Sequence, residues 1–230
     1  MMLDAAGWDA LLLSLLVGVT SIVIALPLAI WVAWVLARRN FWGKAALNAL
    51  VHLPLVLPPV VTGYLLLISF GRTGPVGILL ENTFGVVLAF RWTGAVLAAV
   101  VMGFPLMVRA IRLAIEAVDP KLEQAAYTLG APDFAVFRTV TLPLILPGIL
   151  AGGVMGFAKA IGEFGATITF VANIPGETQT LPSAIYTMLQ VPGGEETAIR
   201  MVIWACALAL FAVVLSEWLA RRVAAKIAAT

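Results

Sequence analysis

The chain has 230 residues, of which 62% are hydrophobic and only 11% are charged, and its formal net charge is +2. Soluble domains carry about 25% charged residues, and a water-soluble fold of this length cannot bury so many apolar side chains. The composition therefore excludes a soluble domain and predicts a protein whose solvent is the lipid bilayer.

Long stretches with few or no charges predict membrane spans. A spanning helix needs about 20 mostly apolar residues, and lipid forces backbone groups to bond within their own segment. We therefore predict an all-α, polytopic membrane protein with five transmembrane helices in a single domain over residues 1–230. The predicted spans are approximately 10–37, 45–70, 86–108, 139–160 and 199–220.

Proline punctuates the second predicted span at Pro54, Pro58 and Pro59. Each proline lacks a backbone N–H and kinks a helix. The sequence predicts a bent helix here, either beside a translocation path or kinked for packing alone.

Basic residues fall in alternate loops. Ten of the fourteen Lys and Arg residues lie between spans one and two, between spans three and four, or after span five. Basic loops remain cytoplasmic, so we expect the N-terminus outside and the C-terminus inside, which requires an odd number of spans. The external stretch 164–200 is rich in turn residues and predicts a partly membrane-dipping hairpin with a short helix near 182–190.

The longest cytoplasmic loop, 109–138, contains helix signals. Asp119 suits an N-cap and Pro120 the first turn, while Gly130 suits a left-handed end. Pro132 then suits the start of a second short helix. We predict a helix–glycine–helix unit on the cytoplasmic face.

This loop reads Glu123-Gln124-Ala125-Ala126-Tyr127-Thr128-Leu129-Gly130 and then Val140-Thr141-Leu142-Pro143. It resembles the signature loop of binding-protein-dependent ABC permeases: Glu-Ala-Ala, three residues, Gly, nine residues, Ile, one residue, Leu-Pro. The resemblance implies a coupling helix that docks on an ATPase, with coupling residues Glu123, Gln124, Ala125, Ala126, Gly130, Leu142 and Pro143. Gln124 occupies the usual glutamate position, so the acidic contact with the ATPase either comes from Glu123 or is absent.

Four further blocks, at residues 52–61, 104–112, 162–170 and 173–178, resemble molybdate permeases. The resemblance implies the type I ABC importer permease fold, in a multi-pass homodimer of the bacterial inner (plasma) membrane with the molybdate pathway at the subunit interface. It also implies two cytoplasmic ABC ATPase subunits and a periplasmic molybdate-binding protein as partners. Tungstate or sulfate are alternative substrates, and sulfate permeases, which share Gly-Glu-Phe-Gly at 162–165, are the nearest rivals.

No Gly-x-x-x-x-Gly-Lys-[Ser/Thr] motif occurs in the sequence, so we expect ATP and Mg²⁺ at a partner ATPase and neither catalytic residues nor a cofactor in this chain. One histidine and one cysteine are too few for a metal cluster, and no nucleic-acid partner is expected. A stand-alone channel or secondary transporter is the alternative of a different class. It requires ionisable residues at mid-membrane, of which the spans offer few. A membrane enzyme ranks last.

Several polar residues near span ends are candidates for the pathway or a gate. Lys159 and Glu163 stand four apart, so they either shape the path or form a structural ion pair. Thr167, Thr169 and Asn173 offer neutral donors to an oxyanion or else bond the backbone. Arg109 either flanks the cytoplasmic opening of the pathway, where it would attract an anion, or simply follows the positive-inside bias. Glu217 and Arg221, also four apart, predict a local ion pair.

Overall fold

The computed structural model describes residues 3–228, apart from the side chains of residues 216, 217, 219, 220 and 223–228. The predicted Glu217–Arg221 pair therefore lies outside the described residues. The described chain is all-helical, without a β-strand, which confirms the predicted fold class. Its helices are α1 (Ala5–Arg38), α2 (Lys44–Val56), α3 (Pro59–Phe70), α4 (Pro75–Phe84), α5 (Trp92–Glu116), α6 (Pro120–Thr128), α7 (Asp133–Val136), α8 (Leu142–Ile161), α9 (Gly165–Val171), α10 (Leu181–Gln190) and α11 (Glu195–Ala228), with a π-helical turn at Phe137–Thr141 between α7 and α8.

Four helical segments of the described chain are long and apolar enough to cross a membrane, and a fifth is obtained when α2 and α3 are counted together. These two helices are bent by 114° relative to each other. The predicted kink in span 45–70 is thus a complete break. Leu57 is extended (φ −73°, ψ 141°) because it precedes Pro58, and neither Pro58 nor Pro59 has an N–H to continue the helix.

The third predicted span and the residues before it differ from the sequence-based expectation. The segment predicted as a span from residue 86 becomes helical only at Trp92 and continues to Glu116. Before it lies α4, a helix that we did not predict, although Pro75 at its first turn and Gly85 with φ 65° at its end are ordinary start and stop signals. Helix α10 confirms the short helix predicted near 182–190.

The core consists of three apolar clusters that follow one another along α1. The first packs the C-terminal half of α1 against α5 and α8. The second packs the middle of α1 against α3, α5 and α9. The third joins the start of α1 to α10 and α11. Helices α6 and α7 therefore lie at the end of the bundle where α1 finishes and α8 begins.

Small residues let α1, α5 and α8 approach closely. A Cβ atom added to Gly156 of α8 would lie 2.8 Å from Met107 Sδ of α5 and 2.9 Å from Ile22 Cδ1 of α1. Between spanning helices, close packing of side chains against a glycine replaces the hydrophobic drive that lipid cannot supply. These three helices form the frame on which the loop that carries α6 and α7 is mounted.

Candidate functional site

Helix α6 begins and ends at the residues that the sequence indicated. The Asp119 carboxylate accepts the Lys121 N–H at 2.9 Å, and Pro120 occupies the first turn. Gly130 has φ +80°, a conformation that L-residues with a side chain rarely adopt. Pro132 then precedes α7. The loop is thus a short preformed helix, stopped sharply, rather than a flexible connection.

The outer face of α6 is open. No residue of this helix is buried, and Gln124, Ala125 and Leu129 are all exposed. Leu129 is 88% exposed and Phe134 of α7 is 73% exposed. A surface with small residues beside unburied apolar ones is suited to docking against another protein.

Glu123 points in the opposite direction, into the protein. Its Oε1 accepts a hydrogen bond from Arg38 Nη2 at 3.2 Å and another from Thr141 Oγ1 at 2.7 Å. The side chain is only 15% exposed. The carboxylate of Glu123 is thus engaged within the chain, and its exposed neighbour Gln124 is uncharged. The acidic contact with an ATPase stays a prediction.

The Leu142–Pro143 pair of the signature lies where the loop enters α8. Residues Phe137–Thr141 form a π-helical turn directly before it. Pro143 has no N–H for the carbonyl four residues earlier, which favours such a widened turn. Thr141, 2% exposed, is thereby placed where its hydroxyl reaches Glu123.

A polar cavity of about 270 Å³ lies between α6 and the end of α1, lined by Trp34, Arg38, Arg39, Glu123, Tyr127, Asp133, Val136, Phe137 and Thr141. Arg39 and Asp133 form a loose ion pair of 3.7 Å with both side chains mostly exposed. Partial burial, together with the nearby Asp133 and Glu123 carboxylates and a hydrogen bond to Asp133, raises the pKa of the Tyr127 hydroxyl.

Lys159 and Glu163 form an ion pair in which Nζ lies 2.6 Å from Oε2. Glu163 is 2% exposed, and its other oxygen accepts the Ala166 N–H at 2.9 Å. The structure thus favours the ion-pair interpretation of these two residues and adds a role that spacing did not indicate: Glu163 caps the first turn of α9.

Helix α9 is held against α3, near the break between α2 and α3. A Cβ atom on Gly165 would lie 2.8 Å from Pro59 Cβ, and one on Gly63 would lie 2.8 Å from Ala166 Cα. The helices are interrupted at residues 57–58 and again at 162–164, and these two interruptions therefore lie side by side. Broken helices in membrane proteins persist where protein or a water-filled cavity satisfies the freed backbone groups.

The remaining pathway candidates do not form one site. Thr169 Oγ1 donates to the Gly165 carbonyl at 2.9 Å, and Asn173 Nδ2 donates to Thr187 Oγ1 at 2.7 Å. Thr167 is buried next to them on α9, whereas Arg109 is exposed on α5, toward the end that carries α6. Among the described residues, no group of three His, Cys, Asp or Glu side chains is arranged to hold a metal.

The chain is similar to known transport proteins over almost its whole length. The family described as "Binding-protein-dependent transport system inner membrane component" matches residues 25–225. The chain is 60% identical over 221 residues, 96% of each protein, to the "Molybdenum transport system permease protein ModB" of Escherichia coli (strain K12). It is 57% identical over 219 residues to the protein of the same name from Haemophilus influenzae, covering 95% of this chain and 96% of that one.

A solved structure has the same fold. It is titled "Crystal structure of bacterial alginate ABC transporter in complex with alginate pentasaccharide-bound periplasmic protein", and it matches with a TM-score of 0.77 over 96% of this chain and 80% of that chain. The sequence identity is 19%, so this similarity concerns the fold alone.

Proposed function

We propose that this chain, which belongs to the family of binding-protein-dependent transport system inner membrane components, is the membrane-spanning subunit of an ATP-driven ABC importer and forms the pathway for molybdate. The observation that carries the proposal is the 60% identity to a molybdenum permease over 96% of both chains. A match that covers 96% of the chain includes the loop, the helix breaks and the spans.

The exposed face of α6 is the surface at which a cytoplasmic ATPase would act. The sequence contains no phosphate-binding Gly-x-x-x-x-Gly-Lys-[Ser/Thr] loop, so ATP and Mg²⁺ belong to separate subunits, two per complex, and this chain binds no cofactor. Its contribution is mechanical: a short helix fixed to two spans moves as a body when the ATPase dimer closes.

The end of the bundle that carries α6 is the cytoplasmic one. Arg38, Arg39, Arg112 and Arg138 are found there, in agreement with the retention of basic loops in the cytoplasm. The N-terminus is then outside, in a multi-pass protein of the bacterial inner membrane. The opposite end, which includes α10, receives the oxyanion from a periplasmic molybdate-binding protein.

Two copies of the chain enclose the pathway. The candidates Lys159, Glu163, Thr167 and Thr169 lie at the junction of α8 and α9, beside the break that begins α3. A conducting route must release what it binds, and this junction offers a single paired cation and hydroxyls rather than a cluster of free cations among the described residues. Selectivity therefore resides mainly in the binding protein.

Uptake by proteoliposomes tests the proposal. The chain is reconstituted with its ATPase and an oxyanion-binding protein, and uptake of labelled molybdate is measured with and without ATP, with tungstate and sulfate as competitors. We expect ATP-dependent molybdate uptake that tungstate suppresses more strongly than sulfate does. Faster uptake of sulfate than of molybdate would show that sulfate is the substrate. Uptake by the chain alone without ATP would indicate a channel or secondary transporter.

A further inference from the structure

We infer that Glu123 is a positioning residue that ties the coupling helix α6 to the ends of α1 and α8, and that it is not a contact to the ATPase. This inference rests on the proposed function, because it assigns the mechanical link through which α6 acts. The link consists of the two hydrogen bonds that Glu123 Oε1 accepts, from Arg38 at 3.2 Å and from Thr141 at 2.7 Å.

Apolar packing does little to hold α6. The helix has no buried residue, and its larger side chains Leu122 and Tyr127 are 49% and 47% exposed. Beneath it lies the polar cavity of about 270 Å³ rather than an apolar cluster. The position of α6 relative to the bundle is therefore decided by polar contacts, and hydrogen bonds to a charged group are the strong ones.

Glu123 reaches the ends of two different spans with one oxygen atom. Arg38 is the last residue of α1, and its Nη2 also donates to the carbonyl of Val118, just before α6, at 3.3 Å. Thr141 is buried in the π-helical turn that leads into α8. Because α1 and α8 both pack on α5 in the first apolar cluster, a displacement of α6 is delivered to the three-helix frame at two points.

The outer face of α6 is left free by this arrangement. Gln124, one position along, is exposed together with Ala125 and Thr128. Residues one apart on a helix differ by about 100° in direction, so the inward carboxylate and the outward docking face are compatible. Gln124, at the signature position, leaves the outer face of α6 without a carboxylate there. The hydrogen bonds of Glu123 to Arg38 and Thr141 are unaffected by this glutamine.

The test uses the full complex of this chain with its ATPase and binding protein, and compares Glu123→Ala, Glu123→Gln and Thr141→Val. The matched control is Glu116→Gln, which removes a carboxylate that pairs at 2.7 Å with Arg112 of the same helix and bridges no two elements. We measure ATPase co-purification, ATP hydrolysis and molybdate taken up per ATP.

We expect all variants to retain the ATPase and to hydrolyse ATP, while uptake per ATP falls at least about tenfold in Glu123→Ala, the factor that corresponds to losing one hydrogen bond to a charged group. Glu123→Gln keeps both acceptor contacts without the charge and should be intermediate. Thr141→Val should lower the uptake per ATP less than Glu123→Ala does. The double variant Glu123→Ala with Thr141→Val should show the same loss as Glu123→Ala alone. Glu116→Gln should match the wild type.

Weaker ATPase co-purification in Glu123→Ala, with unchanged uptake per ATP in the complex that still forms, would overturn the inference. That result is expected if Glu123 contacts the ATPase directly. A second readout does not need transport: amide hydrogen exchange of residues 121–128 in the purified chain should be at least about tenfold faster in Glu123→Ala than in the control. Equal exchange in the two variants would overturn the inference. Failure of the proposed function would appear separately, as wild-type complex that takes up no molybdate while the exchange difference persists.

Discussion

Lys159 Nζ lies 2.6 Å from Glu163 Oε2, and this ion pair stands at the point where α8 ends and α9 begins. Glu163 is almost fully buried, whereas the Lys159 side chain is 28% exposed. The pair is therefore asymmetric: the carboxylate is enclosed and depends on its lysine, whereas part of the lysine side chain lies at the protein surface.

We expect Lys159→Met to lower the free energy of unfolding by about 3 kcal/mol, because it leaves a buried carboxylate without its cation. Glu163→Gln should cost about 1 kcal/mol, since glutamine still accepts the Ala166 N–H and the Lys159 side chain already lies partly at the protein surface. Unfolding in a detergent titration, followed by tryptophan fluorescence, measures both values. Arg200→Met, in an exposed pair with Glu196, serves as the control and should change stability by less than about 1 kcal/mol. A larger cost for Glu163→Gln than for Lys159→Met would contradict the asymmetry.

Gly156→Ala should destabilise the bundle by about 1–3 kcal/mol, because the added methyl group overlaps Met107 of α5 and Ile22 of α1. Gly153→Ala is the matched control three residues earlier on α8. Its Cβ would meet no atom closer than 4.0 Å, so the change should be neutral or slightly stabilising through helix propensity. The same detergent titration compares them, and equal effects would rule out close packing at Gly156.

Gly130→Ala should reduce molybdate uptake, and Gly130→Pro should abolish it while membrane insertion is retained. The φ of +80° at this position strains any residue with a Cβ by about 1–2 kcal/mol, and proline cannot adopt it. Gly193→Ala places the same strain at φ +79° in a loop remote from α6. That control should transport normally. Full uptake in Gly130→Pro would show that the end of α6 is not needed for coupling.

Ala125→Trp should prevent the ATPase from co-purifying, because a bulky side chain on the exposed face of α6 holds the two surfaces apart. The position is exposed, so the fold and the helical content by circular dichroism should not change. Ala45→Trp, also exposed but in the first turn of α2, is the control for a surface tryptophan and should co-purify as the wild type does. Retained ATPase binding in Ala125→Trp would place the docking surface elsewhere.

Several elements were predictable because their causes are local in the chain. An apolar run forms a membrane helix whatever surrounds it, since lipid leaves its backbone no other partner. The limits of α6 follow from Asp119, Pro120 and Gly130, each of which acts on its immediate neighbours. Helix α4 has equivalent signals at Pro75 and Gly85, but its 10 residues are too few to span a bilayer, so hydropathy does not indicate it.

Other features depend on residues that the sequence separates widely. Glu123 is 85 positions from Arg38 and 18 from Thr141, and spacing within α6 does not indicate which of its faces meets the bundle. The placement of α9 beside the start of α3 likewise depends on contacts between Gly165 and Pro59 that no local pattern specifies.

The sequence alone determined that this protein resides in a membrane, that it is helical and where α6 begins and ends, because solvent, hydropathy and capping act over one turn or one span. Only the tertiary structure decided that Glu123 faces inward and that Glu163 caps α9. It also decided that the second predicted span is two helices, α2 and α3, bent by 114° relative to each other. Those outcomes depend on which side chains from distant segments meet, and that is fixed by packing rather than by local propensity.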